Sequence, residues 1–371
     1  MRYLRSKRGP YAVPAVVVLA IAAGTVAPSV TGASSPPSLP SVTPAQLVSE
    51  VLSAKAPQLS GSLDWTANLG LPDLGALQGA VGGGAPNAFN PLTLLNGTYQ
   101  VDVWLAGNQA EHISLSPAPG QEVDLVRNGD QAWFWDSSTM KVTHLTGLSG
   151  GQAAPSQPTT VPMTPQQLAD RLLSHLGQST SVVVPSTVYV GGQATYELLL
   201  TPKSAPGTTI DHIEVDVAAD APLQGVPLQV AVYAKGQAAP ALELGFTRVQ
   251  PGAPPAGELT FSVPPGATEV NHSVSLTRPA TPAQSSTGTG SGPSTLGSGW
   301  EAVRTGTAPV LASPQYQTQL SAVTTVVQVG SQQGRLFTSE LLNVLILPGG
   351  HYYAGFVTPQ ALEAAATAAG A

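Results

Sequence analysis

The feature that most constrains the fold is an alternation of apolar and polar residues that recurs in short segments along much of the chain. The apolar positions are Leu63, Trp65, Ala67 and Leu69 in one segment and Tyr99, Val101, Val103 and Leu105 in the next, where Trp104 falls on the polar side. Because neighbouring side chains of a β-strand point to opposite faces, each segment is predicted to be a strand with one apolar face.

Turn signals separate these segments and predict how the strands pair. Asn128-Gly129 divides the apolar-rich stretch from Val123 to Trp135 and is typical of a tight hairpin turn. Further strands are predicted, with short Pro- and Gly-containing turns between them, over Thr187 to Val190, Thr195 to Thr201, Ile210 to Val217, Leu228 to Tyr233, Leu242 to Val249 and Leu259 to Val263. About ten strands joined in this way predict a large, curved, mainly antiparallel sheet that is apolar on one face.

Three short helices share a start signal. Thr43-Pro44-Ala45-Gln46 and Thr164-Pro165-Gln166-Gln167 place a threonine at the N-cap, a proline at the first helical position and a glutamine at the third. Apolar residues follow at helical spacing: Leu47, Val48, Val51 and Leu52 in the first helix, and Leu168, Leu172, Leu173 and Leu176 in the second. The third start, Thr358-Pro359-Gln360, leads into an alanine-rich tail.

The N-terminus has the order of an export signal. Arg2, Arg5, Lys7 and Arg8 precede an apolar run from Tyr11 to Ala27. Residues 1–33 are therefore predicted to be a signal peptide, and the alternative is an uncleaved membrane anchor, although the run is shorter than the roughly 20 residues of a spanning helix. Either way, the rest of the chain is predicted to be extracytoplasmic: secreted, in a periplasm-like space, or membrane-attached.

Charge and cysteine content exclude several classes of function. The chain has 14 Lys and Arg against 21 Asp and Glu, and without the four basic residues of the signal its net charge falls from −7 to −11. Such a chain lacks the basic surface that nucleic-acid binding needs. It contains no cysteine, so disulfides, cysteine-ligated metals and a lipobox anchor are impossible.

Composition also divides the chain. Residues 275–298 consist almost entirely of Pro, Ala, Ser, Thr and Gly from Thr277 onward and are predicted to be a flexible linker. The main domain would then occupy residues 40–274 and a small β-rich domain residues 299–371, with strands over Gly299 to Val303, Ala322 to Val329, Glu340 to Leu347 and Tyr352 to Val357. Gly70 to Asn96 is predicted to be a loop over one sheet edge.

No sequence pattern assembles a catalytic site. Gly147-Leu148-Ser149-Gly150-Gly151 matches the nucleophile-elbow spelling, but three prolines follow where that elbow needs a helix. The six histidines are scattered and form no metal-binding spacing. Glu214 and Asp216 are a carboxylate pair of the kind used in glycoside hydrolysis, yet strand alternation points both outward to solvent. The chain is therefore predicted not to be an enzyme, and no metal or other cofactor is implied.

The remaining candidate site is apolar. If two short helices and a loop cover only part of a curved sheet, its inward-facing residues would line a cavity. The candidate lining residues are Leu63, Trp65, Val101, Val103, Leu105 and Leu125. The alternative is a normally packed core, because alternation alone cannot distinguish a filled sheet from a hollow one.

Four features in order resemble the LolA-type lipoprotein carriers. They are the leading helix at Thr43, the hairpin Val126-Arg127-Asn128-Gly129-Asp130-Gln131-Ala132-Trp133-Phe134-Trp135-Asp136, the turn into a strand at Asp220-Ala221-Pro222-Leu223-Gln224-Gly225, and the closing strand with its exit at Phe261-Ser262-Val263-Pro264-Pro265-Gly266-Ala267. The resemblance spans roughly Pro40 to Val270. It implies an open antiparallel half-barrel, with short helices closing over a cavity that holds acyl chains.

The related sigma-factor regulators of the RseB/MucB type add a small C-terminal domain, which residues 299–371 resemble in position. The resemblance therefore implies one of two functions. The chain would bind a lipid or the acyl chains of a lipoprotein, or it would be an envelope-stress regulator that binds a membrane-bound anti-sigma factor. The long Gly70 to Asn96 loop and the extra domain both depart from the simple carriers.

Overall fold

The computed structural model describes residues 35–71, 89, 91–148, 164–173, 179–273 and 294–370. The predicted signal peptide lies outside these residues, as do Ser149 to Gly151 of the glycine-rich sequence and most of the predicted linker. None of the described helices is long and apolar enough to cross a membrane.

The larger of two sheets in the described part of the chain has thirteen strands. They are β1 (Gln58–Asn68), β2 (Asn96–Ala106), β3 (Ala110–Leu115), β4 (Val123–Asn128), β5 (Gln131–Asp136), β6 (Lys141–Thr146), β7 (Thr180–Val183), β8 (Thr187–Val190), β9 (Gln193–Pro202), β10 (Ile210–Ala218), β11 (Pro227–Ala234), β12 (Leu242–Pro251) and β13 (Thr268–Ser273). Their order is β13-β6-β5-β4-β3-β2-β1-β12-β11-β10-β9-β7, with β8 also pairing with β9. The two end strands do not pair with each other, so this sheet is open.

Short turns account for most of the pairing. Asn128 pairs with Gln131, which leaves Gly129 and Asp130 as a two-residue turn, and Gly129 has a φ of +60°. This is the left-handed conformation that glycine adopts without steric cost. The predicted β4–β5 hairpin is confirmed, and antiparallel pairing extends through β1 to β6 and through β9 to β12.

The predicted strand over Leu259 to Val263 is wrong, and so is its role as the closing strand. Ala256–Leu259 is a 3-10 helix, and the chain contains no strand from Thr260 to Ala267. The prolines at 255, 264 and 265 have no N–H to donate to a strand ladder. Residues 252–267, here called the strap, instead cross one face of the sheet to β13, which pairs with β6 in parallel.

Two helices cover the opposite face, here called the inner face. They are α1 (Pro44–Ser53) and α2 (Pro165–Leu173), and both begin with the predicted capping box. In α1, the hydroxyl of Thr43 accepts from the N–H of Gln46 at 3.3 Å. Leu47 and Val51 of α1, and Leu168 and Leu173 of α2, are buried in one hydrophobic cluster with the inner side chains of the sheet. Each fully buried leucine stabilises the fold by roughly 1.5–3 kcal/mol.

The smaller sheet is formed by residues after 293. Its strands are β14 (Ser294–Leu296), β15 (Val303–Thr307), β16 (Thr325–Val329), β17 (Gln332–Phe337), β18 (Asn343–Leu347) and β19 (His351–Gly355), in the order β14-β15-β19-β18-β17-β16. Helices α3 (Pro314–Leu320) and α4 (Pro359–Ala368) accompany it, and α4 buries Leu362 and Ala366 in a second hydrophobic cluster. A mainly β fold with a large open sheet, few helices and a second small sheet is confirmed.

Several local predictions in both parts of the chain need correction. Gly299–Glu301 is a 3-10 helix, and the strand predicted there begins only at Val303. Ser294–Leu296, at the end of the predicted linker, is a strand. Strands β7 and β17 and helix α3 were not predicted, because none of them carries a clear apolar period. Within the predicted Gly70 to Asn96 loop, Pro91–Leu95 is a 3-10 helix.

The two sheets contact each other directly. The indole N–H of Trp300 donates to the hydroxyl of Thr180 at 2.9 Å, and the carboxylate of Glu301 accepts from the N–H of Gly207 at 2.7 Å. The hydroxyl of Thr209 donates to the carbonyl of Leu341 at 2.6 Å. Trp300 and Leu341 also pack into the hydrophobic cluster of the larger sheet.

Candidate functional site

The six predicted lining residues all lie on the inner face of neighbouring strands. Leu63 and Trp65 are on β1, Val101, Val103 and Leu105 are on β2, and Leu125 is on β4. Cross-strand register places Leu63 opposite Val101, and Val103 opposite Ile113, which in turn pairs with Leu125. The sequence therefore identified one contiguous apolar surface.

Burial differs across this surface. Leu63, Val101 and Val103 are each only 1% exposed, whereas Trp65 and Leu125 are half-buried. The indole of Trp65 donates to the carbonyl of Leu94 at 2.7 Å, so it is tied to the 3-10 helix Pro91–Leu95. That helix thus packs against β1 and β2, the strands that carry five of these side chains.

An open groove lies at the rim of the inner face, between α1 and the edge strand β7. Its volume is about 700 Å³, and it is lined by Pro44, Ala45, Val48, Ser49, Leu52, Ser53, Thr180 and Val182. Val48 and Val182 also pack against the main hydrophobic cluster, while Leu52 is 52% exposed. The groove therefore lies directly over side chains that contact the hydrophobic cluster. Sequence reasoning missed it because β7 was not predicted, although the position of Leu52 on the apolar side of α1 was a signal.

A second groove of about 580 Å³ lies at the other end of α1. Its walls include the charged and amide side chains of Glu50, Lys55, Gln58 and Gln224 beside apolar ones such as Pro57, Pro222 and Val226, so it is more polar than the first groove. This composition suits water or a polar ligand better than an acyl chain.

The opposite face of the sheet, here called the outer face, carries Glu214 and Asp216. Both project to this face as predicted, but Asp216 is not in solvent, since it is only 4% exposed. Its cross-strand neighbours are Gln229 and Glu197. Alternation gives the face on which a side chain lies, but it does not tell how far longer neighbouring side chains cover it.

Burial and like charges change the acid strengths on this face. Burial, with smaller effects from Glu197, Glu214 and Glu243, raises the pKa of Asp216 to about 8. Burial, followed by the charges of Asp64 and Glu214, also raises the pKa of Glu243. The hydroxyl of Tyr233 donates to Glu214 at 3.0 Å.

Three histidines stack on aromatic rings of the outer face. His112 stacks on Trp104 with 4.7 Å between ring centroids, and His144 stacks on Trp133 at the same distance. His212 stacks on Tyr233 at 4.2 Å. Among the residues that the structure describes, no group of three or more His, Asp or Glu is arranged to hold a metal ion.

His112 connects the sheet to the strap. Its Nδ1 lies 2.8 Å from the carbonyl oxygen of Glu258, and its Nε2 lies 3.6 Å from the carboxylate of Asp124. Burial would lower the pKa of His112, but the nearby carboxylate of Asp124, together with Glu258, outweighs it and raises the pKa. Nearby, the ring of Phe261 in the strap stacks on Trp133 at 6.1 Å.

No family model matches the chain, and no curated protein matches its sequence. Among solved structures, the fold is similar to one in the Pseudomonas aeruginosa MucA/MucB complex, at 14% identity over 86% of this chain and 96% of that chain, with a TM-score of 0.40. It is similar to MucB alone at 14% identity over 86% and 94%, with a TM-score of 0.36. It is also similar to a LolA superfamily protein from Nitrosomonas europaea at 13% identity over 60% and 99%, with a TM-score of 0.24.

Proposed function

We propose that the protein is an extracytoplasmic binding protein that holds a lipid, or the acyl chains of a lipoprotein, at the inner face of its open sheet. The observation that carries this proposal is the apolar groove between α1 and β7. Val48 and Val182 form its walls and also pack against the interior. An acyl chain lying in this groove would continue the hydrophobic cluster outward and remove Leu52 from water.

None of the six inner-face residues lines this groove, and β7 lies several strands from β1 and β2 in the order of the sheet. Helix α1 is ten residues long and is anchored in the interior mainly by Leu47 and Val51. We propose that an outward shift of α1 connects the groove with Val103 and its neighbours. We therefore assign Leu63, Trp65, Val101, Val103, Leu105 and Leu125 to the inner end of the binding site.

The groove can be tested by filling it. Val182 lines the groove, whereas the next residue, Val183, projects to the opposite side of the edge strand and is 43% exposed. Val182→Trp is expected to weaken binding of cis-parinaric acid, measured by its fluorescence, by about tenfold, which corresponds to about 1.4 kcal/mol. Val183→Trp is the matched control and is expected to bind like the wild type. If the wild type does not bind cis-parinaric acid, or if both variants lose affinity equally, the groove is not the binding site.

The inner end of the site is tested at Val103. In a partly unfilled pocket, Val103→Trp would reduce fatty-acid uptake with little loss of stability. In a close-packed core, the same change would be overpacking and would cost typically about 1–3 kcal/mol. Thermal unfolding measured beside uptake separates the two outcomes, and a destabilised variant with unchanged uptake would restrict the site to the groove.

A second candidate function is a regulator that binds the extracytoplasmic part of a membrane-bound anti-sigma factor. Strand β16 favours it, because this edge strand exposes 63% of Val326 and has backbone groups available for a partner strand. Val326→Lys is expected to weaken capture of such a segment on a sensor surface. Val310→Lys, at a similarly exposed position outside β16, is the control. Equal capture by all three proteins would exclude β16 as the contact.

A further inference from the structure

The outer face carries five carboxylates on neighbouring strands. They are Asp64 on β1, Glu243 on β12, Glu214 and Asp216 on β10, and Glu197 on β9, here called the acidic patch. We propose that the acidic patch is a docking site for an extended basic segment of a protein partner. Its lysine or arginine side chains would lie between these carboxylates.

Register explains why the carboxylates come together. One row across the sheet runs Asp64, Gly245, Gln229, Asp216 and Glu197. The adjacent row places Ala231 between Glu243 and Glu214. Gly245 and Ala231 contribute little or no side chain, so longer side chains of neighbouring strands, such as Gln229, lie over them between the carboxylates.

Asp216 is the observation that points to a ligand. Its side chain is 96% buried within the patch, and its Oδ1 atom has no hydrogen-bond partner. Glu197 is different, because its carboxylate accepts from the hydroxyl of Ser186 at 2.6 Å. Buried polar oxygens normally have a hydrogen-bond partner, and a donor from a partner protein would supply one to Oδ1 of Asp216.

Access to Asp216 requires only a side-chain movement. Gln229 leans over Gly245, where an added Cβ would lie 2.8 Å from its amide oxygen. The side chain of Gln229 occupies the space that glycine leaves over position 245, and its rotation out of this space would let a guanidinium or ammonium group reach Asp216.

Among the ion pairs of the described residues, none joins one of the five carboxylates to a lysine or arginine. His212 lies beside the patch, with Nε2 at 3.4 Å from Glu214. Arg248 of β12 is on the same face, but its guanidinium donates to the hydroxyl of Ser62 at 3.3 Å. The ionised carboxylates of the patch therefore still favour positive charge from a partner.

The spacing of the patch selects the kind of occupant. Five neighbouring strands separated by about 4.8 Å give it a length of about 19 Å, which an extended chain of about six residues spans. No group of three acidic or histidine residues in the described part of the chain is arranged for a metal ion. The carboxylates are spread along a line. This arrangement fits a peptide with basic side chains at alternate positions better than it fits a single ion.

Proton release distinguishes this site from a nonspecific attraction. Burial and the facing carboxylates raise the pKa of Asp216 to about 8, so the free protein holds a proton there at pH 7. The charged or titratable groups that face it are Glu197 from β9, Glu214 and His212 from its own strand, Tyr233 from β11, Glu243 from β12 and Asp64 from β1. A bound cation favours ionised Asp216 and therefore expels this proton.

The experiment is titration calorimetry of the full chain with the peptide acetyl-Arg-Ser-Arg-Ser-Arg-Ser-amide at pH 7 in two buffers of different ionisation enthalpy. We expect binding with proton release. In Asp216→Asn, peptide affinity and proton release are both expected to decrease. The affinity should be at least about tenfold weaker, as is typical when one partner of a buried charge pair is removed. Asp130→Asn is the control, because it makes the same charge change at the exposed turn between β4 and β5.

Each other outcome overturns the proposal. No peptide binding, or equal weakening in both variants, would mean that the patch attracts the peptide only through net charge. Spermine binding as tightly as the peptide, with the same proton release, would identify a small polycation as the occupant instead. Melting curves of Asp216→Asn verify that weaker binding is not the result of a lost fold.

Discussion

At the scale of single residues, Asp216 is a buried acidic side chain that the fold stabilises poorly. Its Oδ1 atom is buried without a hydrogen-bond partner. Burying a polar group in this way costs free energy of folding. Asparagine has the same shape and carries no charge to desolvate. The residue is therefore better explained by what it binds than by what it contributes to folding.

This explanation predicts that Asp216→Asn stabilises the protein in alkaline solution. The pKa of Asp216 is about 8 in the folded protein and about 3.9 when unfolded, so the unfolded state loses its proton first as pH rises. The resulting penalty is absent below pH 4, grows between about 4 and 8, and is complete above 8. Asparagine avoids it, with an expected gain of at least about 1 kcal/mol at pH 9.

Denaturation by urea at pH 4 and pH 9 measures this difference. The two proteins are expected to unfold at similar urea concentrations at pH 4 and to separate at pH 9. Asp130→Asn is expected to follow the wild type at both values. A variant that is less stable than the wild type at pH 9 would show that Asp216 makes a favourable structural contact instead.

At the scale of elements, the strap is the connection that adds a further strand, β13, to the strands that are joined by hairpin turns. It crosses the outer face and lets β13 add to β6 in parallel, which no short turn can do. Its contacts with the sheet include His112 to the carbonyl of Glu258, the amide of Asn128 to the carbonyl of Leu259 at 3.2 Å, and the ring of Phe261 on Trp133. His112 is the titratable side chain among these contacts.

His112 is predicted to make attachment of the strap dependent on pH. Its pKa is raised in the folded protein, so protonated His112 is favoured by folding, and this contribution is complete below about pH 6.5. It is lost as pH rises through the raised pKa, when one ring nitrogen can no longer donate. In His112→Gln, hydrogen exchange of residues 256–273 is expected to lose most of its difference between pH 6 and pH 8.5.

A matched control for this experiment is His351→Gln, since His351 lies in the other sheet, where its Nδ1 is 2.9 Å from the hydroxyl of Thr307. That variant should leave the pH dependence of the strap unchanged. If His112→Gln retains the full pH dependence of the wild type, another group controls the attachment. Titration of Asp216 also changes the stability of the whole protein with pH. Hydrogen exchange of the strap residues is therefore measured, because it reports local opening separately.

Local elements were predictable because their causes are local. The capping boxes at Thr43 and Thr164 and the turn after Asn128 each depend on residues within four positions of one another. The path of the strap was not predictable, because it is fixed by contacts such as His144 with Asn271, which are 127 positions apart. The sequence predicted a strand over Leu259 to Val263 instead, because its apolar residues outweighed the prolines on either side.

The same distinction applies to the sites. Alternation placed Leu63, Val103 and their neighbours on one face, but the groove depends on where α1 meets β7, which are far apart in the sequence. The acidic patch combines residues from four strands, and the sequence showed only Glu214 and Asp216 as a pair. Strand order, which alternation does not encode, decided which other carboxylates joined them.

At the scale of the whole molecule, the contact between the two sheets determines whether they unfold together. Each sheet has its own hydrophobic cluster, but Trp300 and Leu341 extend from the smaller sheet into the cluster of the larger one. Hydrogen bonds from Trp300 to Thr180 and from Thr209 to Leu341 accompany this packing. We therefore expect a single calorimetric unfolding transition for the wild type.

Trp300→Ala is predicted to separate this transition into two. The substitution removes a half-buried indole and its hydrogen bond, at a cost of about 2 kcal/mol, below the 3–5 kcal/mol typical of a fully buried tryptophan. Trp300→Phe keeps most of the apolar contact and loses the N–H donor, so it should cost about 1 kcal/mol and retain one transition. Two transitions in the wild type would show that the sheets are energetically independent. One unshifted transition in Trp300→Ala would mean that Leu341 and the backbone contacts are sufficient to join them.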